Sequence, residues 1–398
     1  MNEYSAYTDD GYQIKILYSD IPPVPFDEST QETVVSCFSK LISLSKKVEL
    51  LVGYVSKASL EEIECLVEKH RIEYICLNIG MYFIEGMPEN VFHEALRLDK
   101  KWRETNLGEI RLVTPLKYHG KSFMFYGKDG KKHGIIGSSN LSVIKPDAST
   151  LRQYEFCVYC GVQKLLDEEE QNIIEVFKRP SFSANITEIK DRITLIRQPN
   201  VSLKGNDNIR EIPISNIDIY KKNKTAVSFT LPLKVPSYAD RLTDDGRHFT
   251  KSNINVCYAA PRNKNKNRDW YEVQLTVAKE ITRIEGYPEK NKPFFVVTDD
   301  GFMFKAHTTS DGNKQFSAVG DELIMGRWIK GRLAAAGLIV PQNDTGKDTE
   351  RQGAITEEIL KEYGRDCIRI TKTTDKALDK DGSLLDVWLI SMEKEKQV

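Results

Sequence analysis

The chain has no apolar run near the twenty or so residues that a membrane-spanning helix needs, so an integral helical membrane protein is excluded. It has no GxxxxGK[ST] loop, which removes a nucleotide site of that type. It has no charge excess: 57 basic residues face 58 acidic ones, so any basic surface must come from local clustering. Cysteine is sparse, seven in all, odd in number and scattered, which fits a reducing cytoplasm rather than a disulfide framework. Cys157 and Cys160 have CxxC spacing, but no second pair follows. Residues three apart on a strand face opposite sides, which argues against zinc or redox work there. The polar, acidic start MNEYSAYTDDGYQIKI does not resemble a secretory leader. Histidine is also scarce, with six residues, so each can be weighed singly.

What is present describes an ordinary globular chain. At 398 residues, 40% hydrophobic and 29% charged, two domains with separate cores are expected. The first part alternates strand and helix patterns. Lys47–Val55, Tyr74–Gly80 and Glu109–Val113 read as strands, Ser59–Val67 and Met87–Lys101 as amphipathic helices, and about Gln163–Phe177 as a closing helix. This predicts an α/β domain over 1–180, a mixed sheet with flanking helices. Residues 181–225 turn polar and are expected to link the domains. From 226 to 398 short β-like runs dominate: Ala226–Leu231, Trp270–Leu275, Pro293–Thr298 and, after the Asp299-Asp300-Gly301 turn, Phe302–Ala306. Helices are expected near Gly326–Leu333 and Thr356–Tyr363, giving a mostly-β second domain.

The chemistry concentrates in two short segments. His119-Gly120-Lys121 precedes the apolar strand KSFMFY, Asp129-Gly130 makes a hairpin turn, and the returning strand ends in Gly137-Ser138-Ser139-Asn140. The hairpin would bring His119, Lys121, Ser138 and Asn140 to one end of adjacent strands. A nucleophile or acid, a cation and neutral donors suit a phosphodiester. The other histidines, at 70, 93, 133, 248 and 307, lack such a partner set and read as structural or solvated.

HGK followed by GSSN resembles the HxK…GSxN motif of the phospholipase D (PLD) superfamily. The aspartate found after HxK in the lipases is absent: Tyr126 stands five residues after Lys121. That departure resembles the nuclease branch. In Gln153–Val158, Glu155 matches the glutamate that in BfiI-like restriction endonucleases follows GSxN and supports the catalytic histidine. The resemblance implies a phosphohistidine on His119 and, because the chemistry needs two histidines and the chain has one HxK, a homodimer sharing one site. Lys121, Asn140 and Ser138 would hold the phosphoryl oxygens, with no metal and no cofactor.

The second half carries a matching resemblance. VVTDDGFMF, GRWIKGRLAAAG and Lys361–Asp366 (KEYGRD), in that order, are similar to the C-terminal B3-like pseudobarrel domain of NgoFVII/NgoAVII-type restriction endonucleases, which reads duplex DNA. Asn255–Arg262 looks like a diverged Asn-Trp-Gly-x-Arg segment, with Tyr258 in place of the tryptophan. The acid-free run Pro261–Arg268 alternates cations with amides, donors suited to base edges and phosphates. Tyr258, Arg262, Lys264 and Arg268 are therefore the expected DNA contacts, with Arg327, Lys330 and Arg332 as helix-borne candidates. Double-stranded DNA is the expected partner, in bacterial or archaeal cytoplasm. Some relatives of this architecture work with a separate helicase-like ATPase subunit, a partner that this chain neither proves nor excludes. Two other functions stand beside the restriction endonuclease: a PLD-type enzyme acting on lipid, and a non-catalytic DNA-binding protein.

Overall fold

A computed structural model describes residues 5–7, 13–145, 153–243, 251–261 and 267–392. The chain divides into two compact units at Arg197/Gln198.

The first unit contains β1 (Ser5–Tyr7), β2 (Gln13–Leu17), α1 (Val34–Leu44), β3 (Ser45–Val52), α2 (Lys57–His70), β4 (Tyr74–Ile79), α3 (Tyr82–Glu85), β5 (Met87–Pro88), α4 (Glu89–Glu104), β6 (Gly108–Val113), β7 (Lys121–Gly127), β8 (Lys132–Gly137), β9 (Cys157–Cys160), α5 (Gln163–Glu169), α6 (Glu175–Lys178), β10 (Ser183–Asn185) and β11 (Leu195–Ile196). Nine strands form a mixed sheet in the order β1-β2-β9-β8-β7-β3-β4-β6-β10. β3, β4 and β6 run parallel, connected through α2 and α4, and β7 turns back antiparallel to β3.

Strand alternation splits the side chains between two cores. Leu50, Phe123, Phe125 and Cys157 join α1, α2 and α4 in one cluster. Leu51, Met124 and Cys160 join Leu166 and Ile174 in another. Both faces being covered explains why β3 reads as a continuous apolar run. Phe38 of α1 meets Phe123 and Phe125 edge-on, with ring centroids 5.5 and 5.2 Å apart. Such pairs add about 0.5–1.5 kcal/mol each beyond area burial. α2 opens with a reciprocal Ser56–Ser59 capping box. Gly130 adopts φ +85 in the β7–β8 turn, as the Asp-Gly pair predicts.

The second unit contains β12 (Ile209–Glu211), α7 (Ile214–Lys222), β13 (Lys224–Pro232), β14 (Leu275–Thr276), β15 (Phe294–Thr298), β16 (Phe302–Thr309), β17 (Gln315–Ala318), α8 (Ile324–Ala335), α9 (Glu357–Tyr363), β18 (Cys367–Leu378) and β19 (Leu384–Ser391). Its curled half-barrel sheet has the order β13-β18-β19-β15-β16-β17-β14, with β12 on β16. β15 and β19 are parallel; the other pairs are antiparallel. Trp328, Ile329 and Leu333 of α8 are fully buried with Phe304, Phe316 and Trp388.

Three expectations need correction. Residues 181–225 do not form a separate linker: β10 completes the first sheet beside β6, β11 pairs with β5, and β12 and α7 belong to the second unit. Their polarity reflects short edge elements, of which one face is solvated. The expected strand Trp270–Leu275 is reduced to β14, because Trp270 instead turns into the core and donates its indole N–H to Gly353 O at 2.8 Å. Glu155 precedes β9 rather than lying within a strand. Among the described residues no helix is long and apolar enough to cross a membrane.

Candidate active site

The HxK and GSSN segments meet at one edge of the first sheet. The ladder places Lys121 opposite Gly137, and Gly137 opposite Cys157, so His119, Ser138 and Glu155 all lie just off the ends of three adjacent strands. β3 adds its C-terminal end: Gly53 follows Val52 there.

A Cβ built on Gly53 would stand 3.2 Å from His119 Cδ2 and 3.3 Å from Asn140 Oδ1. The imidazole and the carboxamide are therefore neighbours across a backbone with no side chain between them. Asn140 Oδ1 accepts the Tyr54 N–H at 3.0 Å, which leaves its NH₂ as the end free to donate. His119 is exposed, with the Tyr54 ring edge-on at 5.9 Å between centroids. Lys121 is buried, and its ammonium donates to His119 O at 2.5 Å. Burial holds its pKa below the usual lysine range, opposed by the Glu155 carboxylate. The chain entering His119 is anchored by Tyr118, whose N–H donates to Gly80 O at 3.1 Å and whose ring packs on Phe177.

Two expected roles change. Ser138 Oγ donates to Glu155 Oε2 at 2.5 Å and accepts the Phe156 N–H at 2.9 Å. Its single proton is committed, so it braces Glu155 instead of facing a phosphoryl oxygen. Glu155 in turn makes no hydrogen bond to His119 among the described residues; within one chain its carboxylate serves Ser138 and the field at Lys121. Tyr126, at the lipases' aspartate position, is built into a different network: its hydroxyl lies 2.8 Å from Glu49 and 2.7 Å from Glu170. Those two acids and Glu175 could meet one metal ion, but Glu49 already pairs with Lys178 at 2.7 Å and Lys47 at 3.1 Å, and Glu170 with Lys132 at 2.5 Å.

Sequence reasoning missed Gly53, Tyr54, Glu85 and Lys117. The Tyr54 hydroxyl donates to Glu85 Oε2 at 2.5 Å, and Lys117 Nζ reaches Glu85 Oε1 at 2.9 Å. The available signal was the position of Gly53-Tyr54 at the C-terminal end of a parallel strand, where α/β sheets build their sites.

In the second unit the expected DNA contacts separate. Arg262 and Lys264 lie outside the described residues. Arg268 donates to Ala260 O at 3.0 Å and pairs with Glu272 at 2.6 Å. Tyr258 is buried, and its hydroxyl donates to Asp348 at 2.5 Å. Lys330 and Arg332, expected as DNA contacts, are instead core residues. Lys330 is 0% exposed, and its ammonium donates to Trp270 O, with Cys257 Sγ at 3.4 Å. Arg332 is sealed against Asp299 and donates to the Tyr363 hydroxyl at 3.1 Å. The α8 face carrying them points inward because its helix packs almost all round. Arg327 remains partly exposed, above the Tyr271 ring. A further cleft of about 780 Å³ is lined by Lys234, Lys251, Lys361 and Arg365 together with Glu357 and Asp366, cations outnumbering acids. Arg365 Nε is buried there without a hydrogen-bond partner.

Comparison with known proteins agrees with this division. Residues 31–191 match the model of the NgoFVII restriction endonuclease N-terminal PLD domain. Residues 219–373 match the NgoFVII C-terminal B3-like DNA-binding domain. No curated protein matches the chain. Among solved structures, a phosphatidylserine synthase from Haemophilus influenzae Rd KW20 is 14% identical over 44% of this chain, with a TM-score of 0.32; the match spans 40% of that protein's length. The two matches, in that order, give the chain the domain arrangement of the NgoFVII restriction endonuclease models, a PLD domain followed by a B3-like DNA-binding domain.

Proposed function

We propose that this protein is a sequence-specific DNA endonuclease that cuts without a metal ion, through a phosphohistidine in a site shared by two copies. The observation that carries the reading is the meeting of His119 and Asn140 beside Gly53, with the Lys121 ammonium on His119 O, in a PLD domain on the same chain as a DNA reader.

A ring nitrogen of His119 attacks phosphorus and forms the N–P bond. The bond to the leaving oxygen breaks, and that oxygen takes a proton from His119 of the second copy. Water then attacks the phosphohistidine. The second copy's imidazole, now neutral, accepts the water's proton, and the N–P bond breaks. Lys121 supplies fixed positive charge to the phosphoryl oxygens, and the free NH₂ of Asn140 donates to them. One HxK per chain supplies one of the two imidazoles, which is why two copies are needed. For recognition we assign Arg262 and Lys264, together with Arg327 and the Lys234–Arg365 cleft, whose cations suit the phosphate backbone.

The test is cleavage of plasmid DNA carrying many candidate sequences, in excess EDTA, with end mapping and an alkaline denaturing quench to trap an acid-labile protein–DNA adduct. Discrete cuts in EDTA, absent in His119→Ala while that variant still retards target DNA in a gel, are expected. Cleavage that vanished in EDTA and returned with Mg²⁺ would overturn the mechanism.

A further inference from the structure

The β3–α3 side of the site carries a group that the reaction scheme above leaves unused. Tyr54 touches three parts of the site at once. Its backbone N–H holds Asn140 Oδ1 at 3.0 Å. Its ring stands edge-on to His119 at 5.9 Å and to Tyr82 at 5.4 Å. Its hydroxyl donates to Glu85 at 2.5 Å. Glu85 ends α3 and is clamped from its other oxygen by Lys117, two residues before His119. The loop after β4 is held to the histidine loop a second time, by Tyr118 N–H on Gly80 O.

The arrangement closes a ring of contacts: Asn140, Tyr54, Glu85, Lys117 and the backbone leading to His119. The Tyr54 phenol stays a donor throughout the working range, since the Glu85 carboxylate pushes its pKa up to about 12. Glu85 stays ionised, held below the usual carboxylate range by the Tyr54 hydroxyl, then by Lys117. The Tyr54 hydroxyl and the Glu85 carboxylate are engaged with each other and with Lys117, and the reaction scheme gives neither a bond to phosphorus.

We propose that Tyr54 and Glu85 are positioning residues of this nuclease site: Glu85 latches the Tyr54 hydroxyl to Lys117, and the latch fixes the His119 ring and the Asn140 carboxamide in their mutual geometry. The inference rests on the reading of the site as a phosphodiesterase. Misplacing an attacking group by about 1 Å can cost on the order of a hundredfold in rate, so a latch of this kind acts on turnover and not on DNA affinity.

The test compares Tyr54→Phe, Glu85→Ala, Glu85→Gln and the double variant Tyr54→Phe/Glu85→Ala in the full chain. Expected are a roughly tenfold or greater fall in kcat for Tyr54→Phe and Glu85→Ala, with KM for target DNA and Tm near the parent's. The double variant should fall no further than the worse single one, because both break the same link. Glu85→Gln keeps an acceptor for the tyrosine and should recover most of the rate. A second readout needs no catalysis: in ¹³C-histidine-labelled protein, the His119 ring resonance (assigned by its loss in His119→Ala) should move in Tyr54→Phe and Glu85→Ala and return in Glu85→Gln. Wild-type rates with an unmoved resonance, or fully additive losses, would overturn the latch. A parent protein that cuts no DNA would instead sink the nuclease reading, while the resonance would still decide whether Tyr54 and Glu85 place the ring.

Discussion

Glu155 takes the Ser138 hydroxyl at 2.5 Å, and the same hydroxyl accepts the Phe156 N–H. Within the chain, Ser138 of the GSSN segment is thus engaged with Glu155 and the Phe156 backbone. Ser138→Ala should slow cleavage by about tenfold, the scale of one lost hydrogen bond, and leave target affinity unchanged. Ser138→Thr keeps the hydroxyl and should cut near the parent rate. Single-turnover rates on a cognate duplex check both; a Ser138→Ala variant as inert as His119→Ala would return the serine to the phosphoryl group.

Lys121 should give the enzyme an early alkaline limit. Burial lowers its pKa, so the folded protein loses this cation at a lower pH than an exposed lysine would. Cleavage in EDTA should decline below the ordinary lysine range as the ammonium is lost. Stability moves the opposite way. Between the folded and unfolded pKa values the unfolded chain binds more protons, so stability rises with pH there; at neutral pH both states are charged and the burial cost is fully present. Lys121→Met should raise Tm at pH 7 while lowering kcat by about 10²–10³. Melting curves across pH and a rate profile test the pair of statements together.

Arg332 should matter for folding and not for recognition. Its guanidinium is sealed against Asp299, which also accepts the Ser391 hydroxyl and the Met392 N–H. Arg332→Ala leaves a buried carboxylate without its cation, at about 3–5 kcal/mol. Urea titration followed by tryptophan fluorescence measures the loss. The folded fraction of Arg332→Ala should bind target as the parent does, whereas Arg327→Ala should keep its stability and lose affinity.

Shared chemistry predicts a dominant-negative mixture. With one imidazole from each copy, a wild-type/His119→Ala heterodimer lacks either nucleophile or acid in either orientation. Mixing wild-type with excess His119→Ala under subunit exchange should drive activity well below half, and sedimentation should show no active monomer. Heterodimers retaining about half the rate would rule out a shared site.

The sequence made some of this legible for identifiable reasons. β7, its Asp129-Gly130 turn and β8 follow from local pattern, and that hairpin alone brings HxK beside GSSN. Gly53 and Tyr54 come beside His119 through the β3–β7 pairing and Glu85 through Lys117, long-range contacts that no motif in the sequence announces; only their place after a parallel strand hinted at a site. Lys330 and Arg332 were misread because charge on a helix predicts exposure, and only the packing around α8 shows that face to be inward. β18 and β19, the longest pair in the second unit, were overlooked despite the Asp381-Gly382 turn between them, where Gly382 adopts φ +85.

The place of β19 has a consequence for how the protein is made. It lies between β18 and β15, so the middle of the reader's sheet is supplied by the last strand of that unit to be synthesised. The first unit is complete at Arg197, roughly 190 residues earlier. At about 5–20 residues per second, every nuclease residue has been made for about ten to forty seconds before its guide can close. On the proposed shared site, a lone nascent copy carries one HxK imidazole and lacks the second that the reaction needs throughout that interval.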